Sequence, residues 1–206
     1  MSWRFVPLLG FLLFVGLGFG WRTWLQARRT GDAGVVVFRS GRAVQNLREA
    51  LFVVLCVAVG AEVLLAAFAP AALAALGTVP DGLAAALRPV GAVLVLAATL
   101  MMVVAQLDLG ASWRIGIDED ARPGLVTTGF YRFSRNPIFL FMLAALAGFA
   151  LLLPNCLSLV LVAGGIAGVR GHVGDEEAYL TRTYGEEYRR YGRRVGRFLP
   201  GIGRFS

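Results

Sequence analysis

The chain has 206 residues, 57% of them hydrophobic and only 16% charged. Soluble domains average about 45–50% apolar and about 25% charged residues, so the composition excludes both an ordinary soluble domain and a disordered one. All 20 cationic residues are arginine, giving net charge +7 and excluding Schiff-base lysines and Walker phosphate loops. The single histidine, His172, excludes His-rich metal sites. Cys56 and Cys156 each sit in an apolar run, with neither disulfide-framework nor zinc-finger spacing.

The elements are read as helices from apolar runs that approach the roughly 20 residues needed to cross a bilayer. Phe5 to Trp21 is the first, without a small-residue cleavage site and continuous with Trp24 and Leu25, hence a helix and not a signal peptide. Asp32 to Arg48 is a mixed segment, partly helical at the interface. Leu51 to Ala69 is the second span, interrupted only by Glu62, and Pro70 to Leu87 is an Ala-rich outer connection. Val90 to Leu107 is the third span. Ile138 to Leu153 and Leu157 to Val169 are shorter and separated by Pro154-Asn155, which reads as the tight turn of a helical hairpin. The expected fold is an all-α integral membrane protein of about five transmembrane helices, with a short hairpin of helices 4 and 5 and a cytoplasmic helical tail. The whole of 1–206 is expected to be one membrane domain.

The arginines orient it. Six lie in 22–48, four in 114–135 and eight in 170–204. Five spans put these three segments on one side, and the positive-inside rule makes that side cytoplasmic, with the N-terminus outside. The expected location is the inner or cell membrane. The basic balance therefore reflects topology and anionic lipid, and no aromatic-basic motif points to nucleic acid.

Two cytoplasmic segments carry polar side chains next to the bilayer. In the first, Arg135-Asn136-Pro137 opens the fourth helix. Asn136 is either its N-cap or a hydrogen-bonding group presented to a ligand. In the second, Asp175, Glu176 and Glu177 follow the last apolar run. Glu176 is either a solvated acid paired with arginines or a carboxylate turned toward the hairpin to hold a cationic group. Tyr184, Tyr188 and Tyr191 lie at i, i+4, i+7 and are expected to pack onto the membrane-facing base. His172 reads as the end of the fifth helix, where an imidazole complements the helix dipole. Glu62, at mid-span, is either a functional acid or an interhelical hydrogen-bond partner. The cysteines read as small core residues.

Together these segments resemble the isoprenylcysteine carboxyl methyltransferases and the related membrane phospholipid methyltransferases. The matching pieces are Leu125-Val126-Thr127-Thr128-Gly129-Phe130-Tyr131, then Arg135-Asn136-Pro137-Ile138-Phe139. After the hairpin come Glu176-Glu177, Tyr184-Gly185-Glu186-Glu187-Tyr188, Tyr191 and Arg194-Val195-Gly196-Arg197-Phe198-Leu199-Pro200. The likeness covers 108–200 as a cofactor-binding part, leaving 1–107 as three spans and their loops. It implies a membrane methyltransferase that uses S-adenosylmethionine without a Rossmann sheet, in keeping with the absence of a βαβ pattern. Cofactor contacts carried over by position are Asp118, Pro123, Gly124, Leu125, Val126, Tyr131, Asn136, Pro137, Ile138, Phe139 and Glu176. Three residues depart from the family pattern: Asn136 replaces a histidine, Phe139 a tyrosine, and His172 a substrate-contacting arginine. Arg135 and His172 are the catalytic candidates.

The implied chemistry is methyl transfer to a lipophilic acceptor, namely an isoprenoid carboxylate, a phospholipid amine or a thiol, with no metal and no nucleic acid as partner. The sulfonium donor is already activated, so positioning and desolvation carry much of the catalysis. A carboxylate acceptor needs no general base, whereas an amine or thiol gains from one, and His172 is the only histidine to supply it. Glu176 could hold the cofactor's ammonium group, and Tyr131 or Phe139 could face the sulfonium. Two other readings compete: a non-enzymatic membrane protein that keeps the fold, and an NADPH-dependent oxidoreductase like the sterol reductases, whose longer chains fit five spans poorly.

Overall fold

The computed structural model describes residues 3–38, 42–116 and 124–205, and among these it contains helices and three isolated β-bridges but no strand. Four helices are long and apolar enough to cross a membrane: α1 (Trp3–Thr30), α2 (Ala43–Phe68), α3 (Asp81–Asp108) and α5 (Cys156–Tyr184). The apolar helix between the last two, α4 (Pro137–Leu152), is shorter, and α6 (Glu186–Arg194) follows α5. Val54, Val57, Phe68, Val93, Leu159 and Val160 are exposed on the outer faces. A soluble protein rarely shows so continuous an apolar surface.

The helices extend beyond the apolar runs. α3 starts at Asp81, so residues 81–87 are its first two turns and not part of the outer connection. Asp81 supplies the acid that favours a first turn, and the helix continues through Pro89. α5 does not stop near Val169. It runs 29 residues, about 44 Å at 1.5 Å per residue, to a stop at Gly185 with φ 55°. His172 therefore lies about three turns before the helix end, and the expected dipole partnership does not arise.

Small residues set the closest packing. An added Cβ at Gly91 of α3 would fall 2.6 Å from the Gly148 carbonyl oxygen of α4, so these two backbones touch only because both positions are glycine. Around that contact, Val95, Phe149 and Leu152 join Val59 and Val63 of α2 in the main core. Phe14, Ala98, Met102 and Ala145 form a second cluster.

Buried polar groups pin the two ends of the bundle. At one end Glu62 accepts from Asn155 Nδ2 at 2.7 Å and from the Ser158 hydroxyl, while Asn155 Oδ1 caps Ser158 N–H at 3.1 Å. Of the two readings of Glu62, the interhelical partner is the one seen: it fastens the α4–α5 turn to α2. At the other end buried Arg22 donates to the Gly110 carbonyl at 2.7 Å and to Gln26 at 2.9 Å, beneath the Trp113 ring. A π-helical stretch, Gly16–Trp21, interrupts α1 just before it, and the Gly18 carbonyl accepts from Gln106 Nε2 at 2.9 Å. The three arginine-rich segments meet at this second end, through Val35 with Ile115, Arg48 with Asp175, and Ser134 with Gly196.

Candidate active site

The Thr-Thr-Gly-Phe-Tyr segment is held by the end of α3. Asp108 Oδ2 accepts the Phe130 N–H at 2.8 Å, seating a 3₁₀ turn over Gly129–Arg132. Gly129 has φ 58°, and a Cβ there would fall 2.2 Å from the Asp108 carboxylate, so both backbone and space require glycine. The segment then leans on tyrosines of the tail. The Tyr191 hydroxyl donates to the Tyr131 carbonyl at 2.6 Å, and Gly124 N–H donates to Tyr184 Oη at 3.2 Å.

Arg135 fastens the last residues of the chain to the start of α4. Its buried guanidinium donates from Nε to Glu177 Oε1 at 2.9 Å and from Nη1 to the carbonyls of Gly192 and Val195 at 2.9 and 2.7 Å. Nη2 reaches the Gly203 carbonyl at 3.0 Å, and the group lies 4.2 Å from the Phe205 ring centroid. Glu177 also accepts from Arg197 Nη2 at 2.6 Å and from Asn136 Nδ2 at 3.3 Å. Asn136 is thus the N-terminal neighbour of α4 without capping it by its side chain. Its amide goes instead to Glu177 and to the Arg197 carbonyl at 3.1 Å, because the tail offers a buried carboxylate where a cap would meet water.

These contacts enclose a cavity of about 140 Å³ at the arginine-rich end. Of the residues singled out from the sequence, Gly124, Leu125, Val126, Tyr131, Arg135 and Glu176 line it. Asn136, Pro137, Ile138, Phe139 and His172 do not, and Asp118 and Pro123 lie outside the described residues. The sequence reading missed most of the wall. Tyr179, Tyr184, Tyr188 and Tyr191 complete it with Tyr131, so all five tyrosines of the chain line one cavity, beside Ser112 and Arg114. The tyrosine stripe is packed, as expected, and it also borders the cavity. Tyr188 and Tyr191 are buried against Leu125, Leu180, Val195 and Phe205, with one edge on the cavity. The i, i+4, i+7 spacing was visible, but not what lay against it.

The ionisable lining of the cavity is one carboxylate, Glu176, two guanidiniums, Arg114 and Arg135, and the five phenols. Burial first, then the carboxylate of Glu176, holds the Tyr131 phenol above its ordinary pKa. Burial likewise raises Tyr188 and Tyr191. These rings therefore stay neutral at physiological pH, offering π faces and hydroxyls around a carboxylate. No group of three His, Cys, Asp or Glu side chains among the described residues could hold a metal ion.

A second polar cluster lies one helical turn deeper along α5. The His172 ring sits 5.2 Å from the Phe139 ring, tilted by 55°. Arg48 donates to the Gly171 carbonyl at 3.2 Å and pairs with Asp175. Glu49, buried on α2, accepts from Gln45 Nε2 at 3.2 Å and from Phe38 N–H, and it lies close enough to act electrostatically on the imidazole.

The model of the phospholipid methyltransferase family matches residues 86–187. Over those residues, just under half of the chain, it is similar to the phospholipid methyltransferase family. That similarity implies methyltransferase activity in general terms and a membrane setting, which the four long apolar helices share. The family match takes in α4, α5, most of α3 and the loop bearing Tyr131, and leaves α1 and α2 outside. No curated protein matches the chain.

Proposed function

We propose that this protein transfers a methyl group from S-adenosylmethionine to the amine of a membrane lipid. The observation that carries the reading is the cavity into which all five tyrosines and Glu176 converge. Neutral aromatic faces around a carboxylate suit a ligand bearing both a sulfonium and an ammonium. Tyr131, Tyr184, Tyr188 and Tyr191 would face the sulfonium, Glu176 would pair with the ammonium, and Arg114 would meet the carboxylate. When bound, the cofactor supplies a methyl group already activated for displacement.

The chain's own work is positioning and proton removal. His172 lies one turn from Glu176 on α5, so the acceptor head held there is next to the cofactor cavity. Around the imidazole stand two carboxylates, Glu49 and Asp175, and one guanidinium, Arg48. That surround repels an acceptor carboxylate and attracts an ammonium. The imidazole takes the ammonium's proton, leaving the nitrogen lone pair free to attack, and passes the proton to water. Arg135 is a positioning residue in this reading, since its guanidinium is taken up by Glu177 and three carbonyls. The three arginine-rich segments face the cytoplasm, so the cofactor enters from that side of the inner or cell membrane and the N-terminus lies outside.

The test is S-adenosylhomocysteine binding, read as a rise in melting temperature of the detergent-solubilised protein. Wild type is stabilised, NADPH is without effect, and Glu176→Gln weakens binding about tenfold or more, as expected for loss of a charge-assisted contact worth about 1.5–3 kcal/mol. A Glu176→Gln protein that binds as tightly as wild type would refute the assignment. Labelled methyl appearing in farnesylcysteine but not in phosphatidylethanolamine would overturn the amine acceptor.

A further inference from the structure

Gly165, Val169, His172 and Glu176 lie at i, i+4, i+7 and i+11, so one face of α5 carries all four. Glu176 opens on the tyrosine cavity, while Val169 and Gly165 line a second cavity of about 50 Å³ inside the bundle. Its other walls include Phe11 and Phe14 of α1, Phe52 and Cys56 of α2, and Met142 of α4. All of its lining is apolar except the weakly polar Cys56 thiol. On α2, Glu49 precedes Phe52 and Cys56 at i, i+3, i+7, and on α4 Phe139 precedes Met142 at i, i+3. Glu49, Phe139 and His172 thus each stand one turn from this cavity, on the side toward the tyrosine cavity, and the His172 ring lies against that of Phe139.

We infer that the second cavity is a slot for the head-proximal part of a hydrocarbon chain, belonging to the lipid whose polar head meets His172. The inference rests on the function proposed above and adds a subsite to it. Seven residues of α5 separate His172 from Gly165, about 10 Å along the helix, so the slot receives chain carbons near the head and not the chain terminus. Gly165 keeps a wall thin, since a Cβ there would fall 2.4 Å from Leu146 Cδ2 and 3.4 Å from Leu55 Cδ2. Two of the four helices around the slot, α1 and α2, lie outside the family-matched residues, so its shape is a property of this chain. Order along α5 then becomes order along the substrate: methyl donor at Glu176, nucleophile at His172, chain at Val169 and Gly165.

The experiment places the full-length protein in phosphatidylcholine nanodiscs with one of two photoprobes, each carrying a diazirine on a carbon near the head. One is a phosphatidylethanolamine and the other a farnesylcysteine. Adducts are expected on Phe52, Cys56 and Met142, with the labelling probe identifying the chain as acyl or isoprenoid. Cys56→Trp fills the slot and is expected to abolish these adducts while S-adenosylhomocysteine still raises the melting temperature. Should that variant fail to fold, alkylation of Cys56 by N-ethylmaleimide in a Cys156→Ser chain is measured instead, and the probe that labels is expected to slow it. Adducts spread over lipid-facing residues such as Val54 and Val57, or adducts that survive Cys56→Trp, overturn the slot. Adducts in the slot without S-adenosylhomocysteine binding leave the slot standing and sink the cofactor reading.

Discussion

Glu177→Gln removes the one carboxylate shared by Arg135, Arg197 and Asn136 while leaving the side-chain volume almost unchanged. Arg135 is fully buried and Glu177 nearly so, whereas the Arg197 side chain is 41% exposed. Loss of one partner from a buried ion pair costs about 3–5 kcal/mol, because the remaining charge is left without compensation. The exposed Arg197 pair adds at most about 1 kcal/mol. Three carbonyls still hold the Arg135 guanidinium, and glutamine can accept one bond, so the low end, about 3 kcal/mol, is expected. That energy fastens residues 192–205 to α4, so the change is read locally, as tryptic cleavage of the tail at Arg193 and Arg194. About 3 kcal/mol corresponds to more than a hundredfold rise in the open fraction, and in cleavage rate where reclosing is fast. A rise of less than about fivefold, equivalent to roughly 1 kcal/mol, would refute the clamp.

Two further outcomes follow from the geometry. Gly129→Ala forces a Cβ against Asp108 at positive φ, and it is expected to destabilise the Tyr131 segment by about 1–3 kcal/mol, measured as faster amide exchange at 129–132. Glu62→Leu leaves the side chains of Asn155 and Ser158 without their partner at the hairpin turn and is expected to cost about 1–3 kcal/mol in unfolding by SDS titration; an unchanged midpoint would show that Glu62 does not fasten the hairpin.

Much of the fold was legible because the bilayer imposes a coarse pattern that the chain must obey. The apolar runs located the helices, and Pro154-Asn155 marked the hairpin turn that the structure places between α4 and α5. The helix ends were less legible. Nothing in the residues after Val169 forbids a helix, and a change from apolar to charged side chains marks where water begins, not where helix ends. The site divided along similar lines. Glu176, Gly124, Leu125, Val126 and Tyr131 were found through the family pattern, and they do line the cavity. The tyrosines were seen as a stripe, yet the face on which a stripe is buried depends on what a distant segment brings against it. Besides Glu177, the partners that Arg135 and Asn136 find, the carbonyls of 192, 195, 197 and 203, are backbone atoms that no side-chain pattern announces.

α5 is one uninterrupted rod, tied by Ser158 to Glu62 at one end and by Glu177 to Arg135 at the other. The offset between His172 and Glu176, about 6 Å along the axis, is therefore written into covalent geometry and is indifferent to loop length. On the function proposed above, the rod would act as a depth gauge, setting how far into the bilayer an acceptor head must sink to stand level with the methyl donor.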